Sequence, residues 1–339
     1  MKNNQLFTLL CLIVFASLLA SCGVNKSLYE ASSVPEEGGV RFTKLTQDNE
    51  KVYGPNVREN NGTLQWYASS LIDVSKDGKL FAYLAESNKN VNIFIRSTES
   101  GVSTVQRTFR NVVLDMGFSP DGKYIAFCDN RDGEENIYMI NTREGTSIQQ
   151  ITSASRASES GPCFSPDGKL IFFSKEEGDQ DEKGRPITRY YIWSFNRETS
   201  LLTQHGEGLT PNVSPDGKKL AITRINKTTG RGEIWIIDLQ TDQESLILSS
   251  DKIGYSTPQF SPDGKRLAVV FTSLKRKNMA ANLDIGLVNV DGTHFTQLTF
   301  HPGSDVSPRW SPDGQSLYFL STRGNSQKKY NVWVMNVKS

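Results

Sequence analysis

The chain of 339 residues carries 38 basic and 37 acidic side chains, which gives a formal net charge of +1 at pH 7. Because this balance provides no overall positive field to attract a polyanion, nucleic-acid binding is not expected. Hydrophobic residues make up 37% of the chain, which is enough to form a core and too much for a disordered protein. The length exceeds that of most single domains but is common among repeat folds.

The first predicted element is an export signal. Lys2 precedes the apolar run LFTLLCLIVFASLLA, and LASC follows at Leu19–Cys22. This ending resembles a bacterial lipobox, in which the cysteine is acylated and becomes the new N-terminus. Residues 1–21 are therefore predicted to be a lipoprotein signal peptide, with Cys22 as the lipidation site. An ordinary cleaved signal or a short membrane anchor is the alternative.

The residues after Cys22 predict where the protein is held. Gly23 occupies the position at which an aspartate would indicate retention in the inner membrane, so the outer membrane is predicted, with the periplasmic side favoured. Residues 22–39 are small and polar without periodicity and are expected to form a flexible tether. Residues 40–339 are then expected to fold, and to contact the membrane through the lipid alone.

The rest of the chain repeats one short sequence. FSPDGK occurs at Phe118–Lys123, at Phe164–Lys169 and at Phe260–Lys265, and close variants occur elsewhere. The aspartates of six copies are separated by 44 to 50 residues: Asp77, Asp121, Asp167, Asp216, Asp263 and Asp313. A period of this size indicates a repeat architecture.

Each repeat predicts a four-stranded antiparallel sheet. The proline, aspartate and glycine of SPDG suit a tight turn, which closes a hairpin between the first and second strands. A third strand rich in aromatic and β-branched residues recurs in every unit, as in NVWVMN at Asn331–Asn336. Some units end in Leu/Ile-Thr, as in HFTQLT at His294–Thr299, which predicts a fourth strand. Six such sheets around an axis make an all-β, six-bladed β-propeller.

The sixth unit lacks a fourth strand of its own. The segment RFTKLT at Arg41–Thr46 matches HFTQLT at four of six positions, and it lies at the other end of the chain. A strand from the N-terminus is therefore predicted to complete the last blade, which would close the ring and protect its edges.

The repeated SPDGK, the pattern LT…P.FSPDG and the aromatic third strand resemble the TolB-type six-bladed propeller repeat. The resemblance covers roughly Arg41 to Ser339 and implies the propeller fold, while one such fold hosts many functions. TolB itself is a periplasmic protein with an additional N-terminal α/β domain, and this chain is expected to have only the short tether in its place. The first unit departs from the motif, with Lys76 at the position of the proline.

No familiar catalytic signature accompanies the repeats. The sequence contains no G-x-S-x-G elbow, P-loop, C-x-x-C or H-E-x-x-H, which favours a non-catalytic protein without a cofactor. The alternative is a metal-assisted propeller enzyme, either a polysaccharide lyase or a hydrolase. His205 and His301 each follow a threonine by two residues, in what are predicted to be equivalent junction loops, and are the candidate metal ligands.

Strand direction predicts which face binds a ligand. The SPDG turns lie on one face, and the loops between second and third strands share the other face with the connections between blades. That second face receives the long insertions, among them Lys175–Arg189 and a loop with Lys275, Arg276 and Lys277. Loops on a rigid scaffold commonly carry recognition, so this face is the predicted binding surface.

The starts of the innermost strands supply further candidates. Six residues before the SPDG serine stand Glu159, Tyr255 and Asp305, which are predicted to lie at the end of the channel beneath the long loops. They are candidate ligand-binding residues, and the alternative is that they order the junctions between blades. The expected partner of the monomeric domain is a protein, with a glycan as the alternative.

Two cysteines remain after removal of the signal and acylation of Cys22. Cys128 and Cys163 fall in separate predicted strands. Buried free thiols are favoured over a disulfide, although an oxidising compartment permits one.

Overall fold

Strands account for nearly all regular structure in the described part of the chain, with one short 3-10 helix at Asp48–Glu50. The computed structural model describes residues 34–37, 40–55, 58–60, 63–65, 70–98, 104–109, 112–131, 133–143, 147–153, 157–180, 183–272, 282–324 and 329–337. Cys22, Lys275, Arg276 and Lys277 lie outside these ranges.

Four short strands precede the first blade: β1 (Val34–Glu37), β2 (Val40–Lys44), β3 (Arg58–Asn60) and β4 (Thr63–Gln65). β3 and β4 form a separate two-stranded hairpin. Each strand has only three residues, which is too short for an apolar alternation to indicate it in the sequence.

The six blades follow in chain order, each numbered from its innermost strand outward. Blades one to three comprise β5 (Ile72–Val74), β6 (Leu80–Ser87), β7 (Asn90–Ser97), β8 (Val105–Gln106); β9 (Val113–Phe118), β10 (Tyr124–Asp129), β11 (Asn136–Asn141), β12 (Ile148–Gln150); β13 (Glu159–Phe164), β14 (Leu170–Gln180), β15 (Pro186–Asn196) and β16 (Leu202–Glu207). Blades four to six comprise β17 (Leu209–Val213), β18 (Lys219–Ile225), β19 (Gly232–Asp238), β20 (Glu244–Leu248); β21 (Tyr255–Phe260), β22 (Arg266–Thr272), β23 (Leu283–Asn289), β24 (Thr296–Gln297); β25 (Asp305–Trp310), β26 (Ser316–Ser321) and β27 (Asn331–Asn336). The predicted six-bladed, four-stranded architecture is confirmed.

The SPDG motif forms the same turn in all six blades. The serine hydroxyl donates to the aspartate two residues later, at 2.5 to 2.7 Å. The glycine of each turn has a φ between 67° and 74°, a left-handed conformation that side chains disfavour. Blade one keeps this geometry although Lys76 replaces the proline, because the serine, aspartate and glycine are retained.

The N-terminal segment completes blade six, as predicted. β2 pairs antiparallel with β27, with Phe42 opposite Met335. The Thr46 hydroxyl accepts the N–H of Val332 at 2.9 Å, and Thr299 accepts that of Ile285 at the same distance in blade five. The shared Leu-Thr ending therefore has a physical role, which is to fasten the end of the fourth strand to the third.

Blade six has a fifth strand that the sequence does not predict. β1 pairs antiparallel with β2, with Val34 opposite Phe42 and Glu37 opposite Val40. These residues belong to the segment predicted to be a flexible tether. Their short, polar sequence lacks an apolar alternation, so the pairing is decided by the free edge that β2 offers.

The hydrophobic core lies between the faces of adjacent blades. Buried side chains of the second and third strands form most of it, such as Phe127 in blade two and Phe172 in blade three. Cys128 is buried and Cys163 partly buried, and both thiols are free. The Cys128 thiol donates to the carbonyl of Glu159 at 2.8 Å, which links blades two and three.

Candidate functional site

The blades present two different faces. The turn face carries the six SPDG turns, and the opposite face, here called the long-loop face, carries the loops between second and third strands. On the long-loop face, blade three projects beyond its neighbours, because β14 and β15 are 11 residues long, whereas β10 and β11 of blade two have six residues each and β18 and β19 of blade four have seven. Glu159 is the first residue of the innermost strand, β13, and it pairs with Lys175 of β14. Beyond Lys175, β14 no longer pairs with β13.

The part of blade three that projects is a two-stranded arm, formed by residues 176–180 of β14 and residues 186–190 of β15. Its ladder continues from Lys175 opposite Tyr191 to Gln180 opposite Pro186. The sequence predicts a loop at this place, and that prediction is wrong. The charged side chains hide the strand pattern, but they stabilise it by pairing across the ladder, as Arg189 does with Asp179.

The base of the arm is fixed by an aromatic side chain. The indole N–H of Trp193 donates to Glu177 at 3.1 Å, and the ammonium of Lys175 lies 5.0 Å from the centre of the Trp193 ring. These contacts hold two residues of β14 against one side chain of β15. The arm is therefore built as an extension of the blade.

A groove of about 570 Å³ separates the arm from blade four. Its floor contains apolar side chains, including Ile187, Leu209 and Ile225. Among the residues that the structure describes, the charged side chains that line it are those of Glu207 and of five basic residues: Lys183, Arg185, Arg189, Arg224 and Lys227.

Carboxylates at the rim hold some of these basic groups in place. Arg224 forms two hydrogen bonds of 2.8 Å with Glu244 and stacks over Trp235 at 4.7 Å. The bonds from Arg224 lower the pKa of Glu244 below its ordinary value. Lys227 reaches Glu207 at 3.5 Å while remaining 70% exposed. The groove thus combines ordered guanidinium groups with an accessible ammonium.

The arm borders the groove with a strand edge. The last contact between β16 and β15 on this side is the bond from the N–H of Gly208 to the carbonyl of Tyr190, at 2.8 Å. In the described residues, no strand pairs with residues 186–189 on that side. Alternate residues of a strand direct their backbone groups to the same edge, so the N–H and C=O of Thr188 face the groove as the carbonyl of Tyr190 does.

Comparison with known proteins places this architecture in a family. Residues 59–186 and 195–339 match the TolB beta propeller domain. The chain belongs to the TolB β-propeller family. A protein TolB homolog from Chlorobium luteolum is 30% identical over 159 residues, which are 47% of this chain and 33% of that protein. The chain spans a third or less of the length of the curated relatives it matches.

Solved structures share the TolB-like fold. A putative TolB from Agrobacterium tumefaciens has a TM-score of 0.55 and 19% identity, covering 82% of this chain and 93% of that one. Oligogalacturonate lyase from Vibrio parahaemolyticus has a TM-score of 0.58 and 13% identity, covering 91% of this chain and 96% of that one. At these identities the likeness shows the fold alone.

The predicted residues at the starts of inner strands are buried among protein groups in this TolB-family propeller. Glu159 bonds the Thr152 hydroxyl, and burial raises the pKa of its carboxyl. Asp305 is fully buried and pairs with Arg323 at 2.7 Å. Tyr255 packs edge-on against Phe295, toward the outside of blade five.

These contacts match the alternative that the residues order the blades. Glu159, Tyr255 and Asp305 are predicted to lie at the end of the channel as candidate ligand-binding residues, and in the structure each is buried against other parts of the protein. Side chains of a strand point out of the two faces of its sheet, and in this propeller those faces pack against neighbouring blades. Only the edge of each inner strand borders the axis, so the structure does not bring the three side chains together.

The two candidate metal ligands lie in different surroundings. His205 lies within β16 and not in a junction loop, because the long third strand of blade three gives the fourth strand further partners to pair with. Its Nε2 contacts the Ser194 hydroxyl at 2.8 Å, and burial lowers the pKa of its imidazole. His301 does lie in a junction, where its Nδ1 accepts the N–H of Gly303 at 2.9 Å. In the described ranges, no three His, Cys, Asp or Glu side chains are grouped so as to hold a metal ion.

The groove residues are the ones that sequence analysis misses. Arg224 lies near the end of β18 and Lys227 lies two residues beyond that strand, and Thr188 lies in the segment predicted to be a loop. The alternation of Ile187, Arg189 and Tyr191 in β15 is the one signal that indicates a strand there.

Proposed function

We propose that this protein is a non-catalytic binding module of the cell envelope, which recognises a protein partner through its long-loop face. Membership in the TolB β-propeller family and the propeller fold support a binding or scaffold role. The observation that carries the proposal is the arm of blade three with its groove, since both belong to one face. Rigid scaffolds present recognition elements in this way.

The turn face is less suited to specific recognition. Its six turns repeat one geometry, and the serine and aspartate side chains of each turn bond to one another. Six nearly equal turns offer little variety of shape or charge. The long-loop face differs from blade to blade, which is what discrimination between partners requires.

Attachment to the outer membrane through acylated Cys22 is the second part of the proposal. The support is the lipobox-like LASC at Leu19–Cys22, and family membership favours the envelope. The described part of the chain contains no apolar helix with the length needed to span a bilayer. An acylated N-terminus would hold the propeller near the membrane, at a distance limited by the length of the predicted tether.

Charge reversal on each face tests the binding proposal. Proteins captured from solubilised membranes by the wild-type protein are identified and then assayed with two variants. One variant changes Lys275, Arg276 and Lys277 to Glu, and the other changes Lys123 and Lys169, beside two SPDG turns, to Glu. We expect the first variant to lose at least about tenfold in affinity, and the wild-type affinity to weaken with added salt.

The control variant decides between the faces. If changing Lys123 and Lys169 abolishes capture while the triple variant binds as the wild type does, the turn face is the binding surface. Circular dichroism of both variants verifies that each has folded.

A metal-assisted lyase or hydrolase is the second candidate. Its support is the fold shared with oligogalacturonate lyase, which a structure in complex with manganese also shows at a TM-score of 0.57. It ranks second because His205 and His301 lie in separate hydrogen-bonded settings. Elemental analysis of purified protein, together with an assay on polygalacturonate, tests it. Stoichiometric metal and turnover that disappears in a His205→Ala variant would establish the enzyme.

A further inference from the structure

We propose that a short segment, residues 50–54, is a strap that closes the junction between blades six and one a second time and opens by itself while β2 stays paired. The strap lies between β2 and β3 in the chain. How the ring is held closed is independent of which partner the long-loop face binds, so the strap and the proposed function are tested separately.

Backbone contacts join the strap to both blades. Val52 pairs antiparallel with Ala85, near the end of β6, and with Tyr330, which directly precedes β27. The N–H of Tyr53 donates to the carbonyl of Leu84 at 2.9 Å. Because second strands end and third strands begin on the long-loop face, the strap crosses the junction on that face.

A carboxylate fastens the start of the strap to blade one. Glu50 accepts hydrogen bonds from the hydroxyl of Tyr83 and from the guanidinium of Arg96, the latter at 2.7 Å. The same guanidinium donates to the carbonyl of Leu45, just after β2, at 2.7 Å. The cost of removing partly buried charges from water offsets much of their attraction, so these bonds position the strap and add only modest stability.

The strap is held less firmly than β2. Val52 is buried, but Tyr53 is only partly buried and Lys51 is exposed. Lys51 also has a φ of 48°, a left-handed conformation that residues other than glycine adopt at a cost. By contrast, β2 pairs with a strand on each side and buries Phe42 completely. Because segments with few buried apolar contacts open at the lowest free energy, the strap is expected to open before β2.

Opening of the strap would change the long-loop face. Gly54 lies so close to Tyr330 that a Cβ at position 54 would come within 1.9 Å of the tyrosine ring. The closed strap therefore covers this ring, and it holds Val52 against a core cluster to which blades one and six both contribute. The open strap would uncover both side chains. A ligand that binds the open form more tightly than the closed form would shift the equilibrium toward it, so the strap can act as a conformational switch.

Hydrogen exchange of single backbone amides in the purified protein tests this behaviour. Tyr53 and Glu86 report on the strap, because their N–H groups form the hydrogen bonds between the strap and β6. Leu45 reports on closure by the N-terminal strand, because its N–H donates to the carbonyl of Val332 in β27 at 2.8 Å. After correction for intrinsic rates, we expect the two strap amides to exchange at least about tenfold faster than Leu45. Local opening exposes little surface, so their exchange should be nearly independent of added urea, whereas that of Leu45 should rise with it.

Gly54→Ala is a variant that acts on the strap. Its methyl group would meet the Tyr330 ring, and the backbone at position 54 is outside the left-handed region, so the effect is steric. We expect the two strap amides to exchange about tenfold faster than in the wild type, while Leu45 is unchanged. Gly178→Ala, in the arm of blade three, is the matched control. In the part of the chain that the structure describes, no atom lies within 4 Å of its Cβ position, so all three amides should exchange as in the wild type.

Two results would overturn the proposal. If the strap amides of the wild type exchange at the rate of Leu45 and with the same urea dependence, the strap opens only together with the ring. If Gly54→Ala accelerates exchange at Leu45 as much as at Tyr53 and Glu86, the strap and β2 open as one unit. Should Gly54→Ala not fold, the urea dependence of the wild type alone decides the question.

Discussion

One aspartate holds each SPDG turn by two hydrogen bonds. In blade five, Asp263 accepts the Ser261 hydroxyl at 2.5 Å and the N–H of Lys265 at 3.1 Å. The serine hydroxyl also receives the N–H of Arg266 at 3.0 Å. Serine and aspartate thus satisfy backbone groups that the tight turn leaves without partners, which explains why these two residues recur in all six turns.

We predict that Asp263→Ala lowers the free energy of unfolding by about 1–2 kcal/mol, because two hydrogen bonds lose their acceptor. Asp263→Asn should be milder, since the amide oxygen can still accept. Urea denaturation followed by tryptophan fluorescence measures both. Lys265→Ala, an exposed neighbour in the same turn, is the control and should match the wild type. If Asp263→Ala and the wild type have equal urea midpoints, the two hydrogen bonds to Asp263 do not stabilise the fold.

Low pH should weaken the hydrogen bonds that the turn aspartates accept, because protonation removes their charge. The serine hydroxyl is the largest cause that lowers the pKa of the aspartate in all six turns. A carboxyl whose pKa is lowered by folding contributes stability above its unfolded pKa, and that stability is lost as the pH falls through its folded value. The wild type should therefore lose more stability below about pH 4 than Asp263→Ala, which has one such carboxyl fewer.

The closing strand is the element on which the ring depends. Phe42 of β2 is fully buried, packs edge-on against Phe319 at 6.1 Å and lies 3.9 Å from the guanidinium of Arg323. Arg323 in turn pairs with the buried Asp305 of β25. The strand from the N-terminus therefore fastens to both the inner and the outer parts of blade six.

Deleting Arg41–Thr46 should lower the melting temperature of the whole domain in one transition, because two sheet edges become exposed where the ring closes. Phe42→Ala should also destabilise the domain, lowering its free energy of unfolding by about 3–5 kcal/mol, as expected when a buried aromatic ring is removed. Differential scanning calorimetry measures both effects. Arg41→Ala, on an exposed position of the same strand, is the control. An unchanged midpoint after the deletion would contradict closure by this strand.

The arm of blade three is a paired ribbon where the sequence predicts an inserted loop. Lys175–Arg189 has the charge and glycine content of a loop, and only the alternation of Ile187, Arg189 and Tyr191 indicates one of its strands. The structure pairs eleven residues on each side. Pairing across the ladder, such as Arg189 with Asp179, stabilises a ribbon that neither strand specifies alone.

Anchorage concerns the whole molecule. Cys22→Ser should yield a folded propeller that no longer fractionates with membranes, because the thiol that would carry the lipid is absent. Cell fractionation with detection of the domain measures this, and circular dichroism of the soluble fraction verifies the fold. Cys11→Ser, a change within the predicted signal, is the control and should leave the membrane association intact. A Cys22→Ser protein retained in membranes like the wild type would contradict lipidation at this residue.

The sequence alone determined the ring. Six SPDG turns in phase specify six hairpins, the aromatic third strands specify the sheets around them, and the Leu-Thr ending shared by Arg41–Thr46 and His294–Thr299 specifies the closure. Each of these is a local pattern. Turn chemistry and strand periodicity act over a few residues, so they can be read without knowing the fold.

Only the tertiary structure decided the candidate site. The groove joins residues of β15 with residues of β17 and β18, which belong to another blade, and its open edge depends on where β16 stops. The surroundings of Glu159 and Asp305 were also decided by the tertiary structure. Their protein partners come from neighbouring elements, so the position of each in an inner strand could be predicted and its burial among those partners could not. Contacts between distant segments are set by how blades pack, and no pattern along a single strand encodes them.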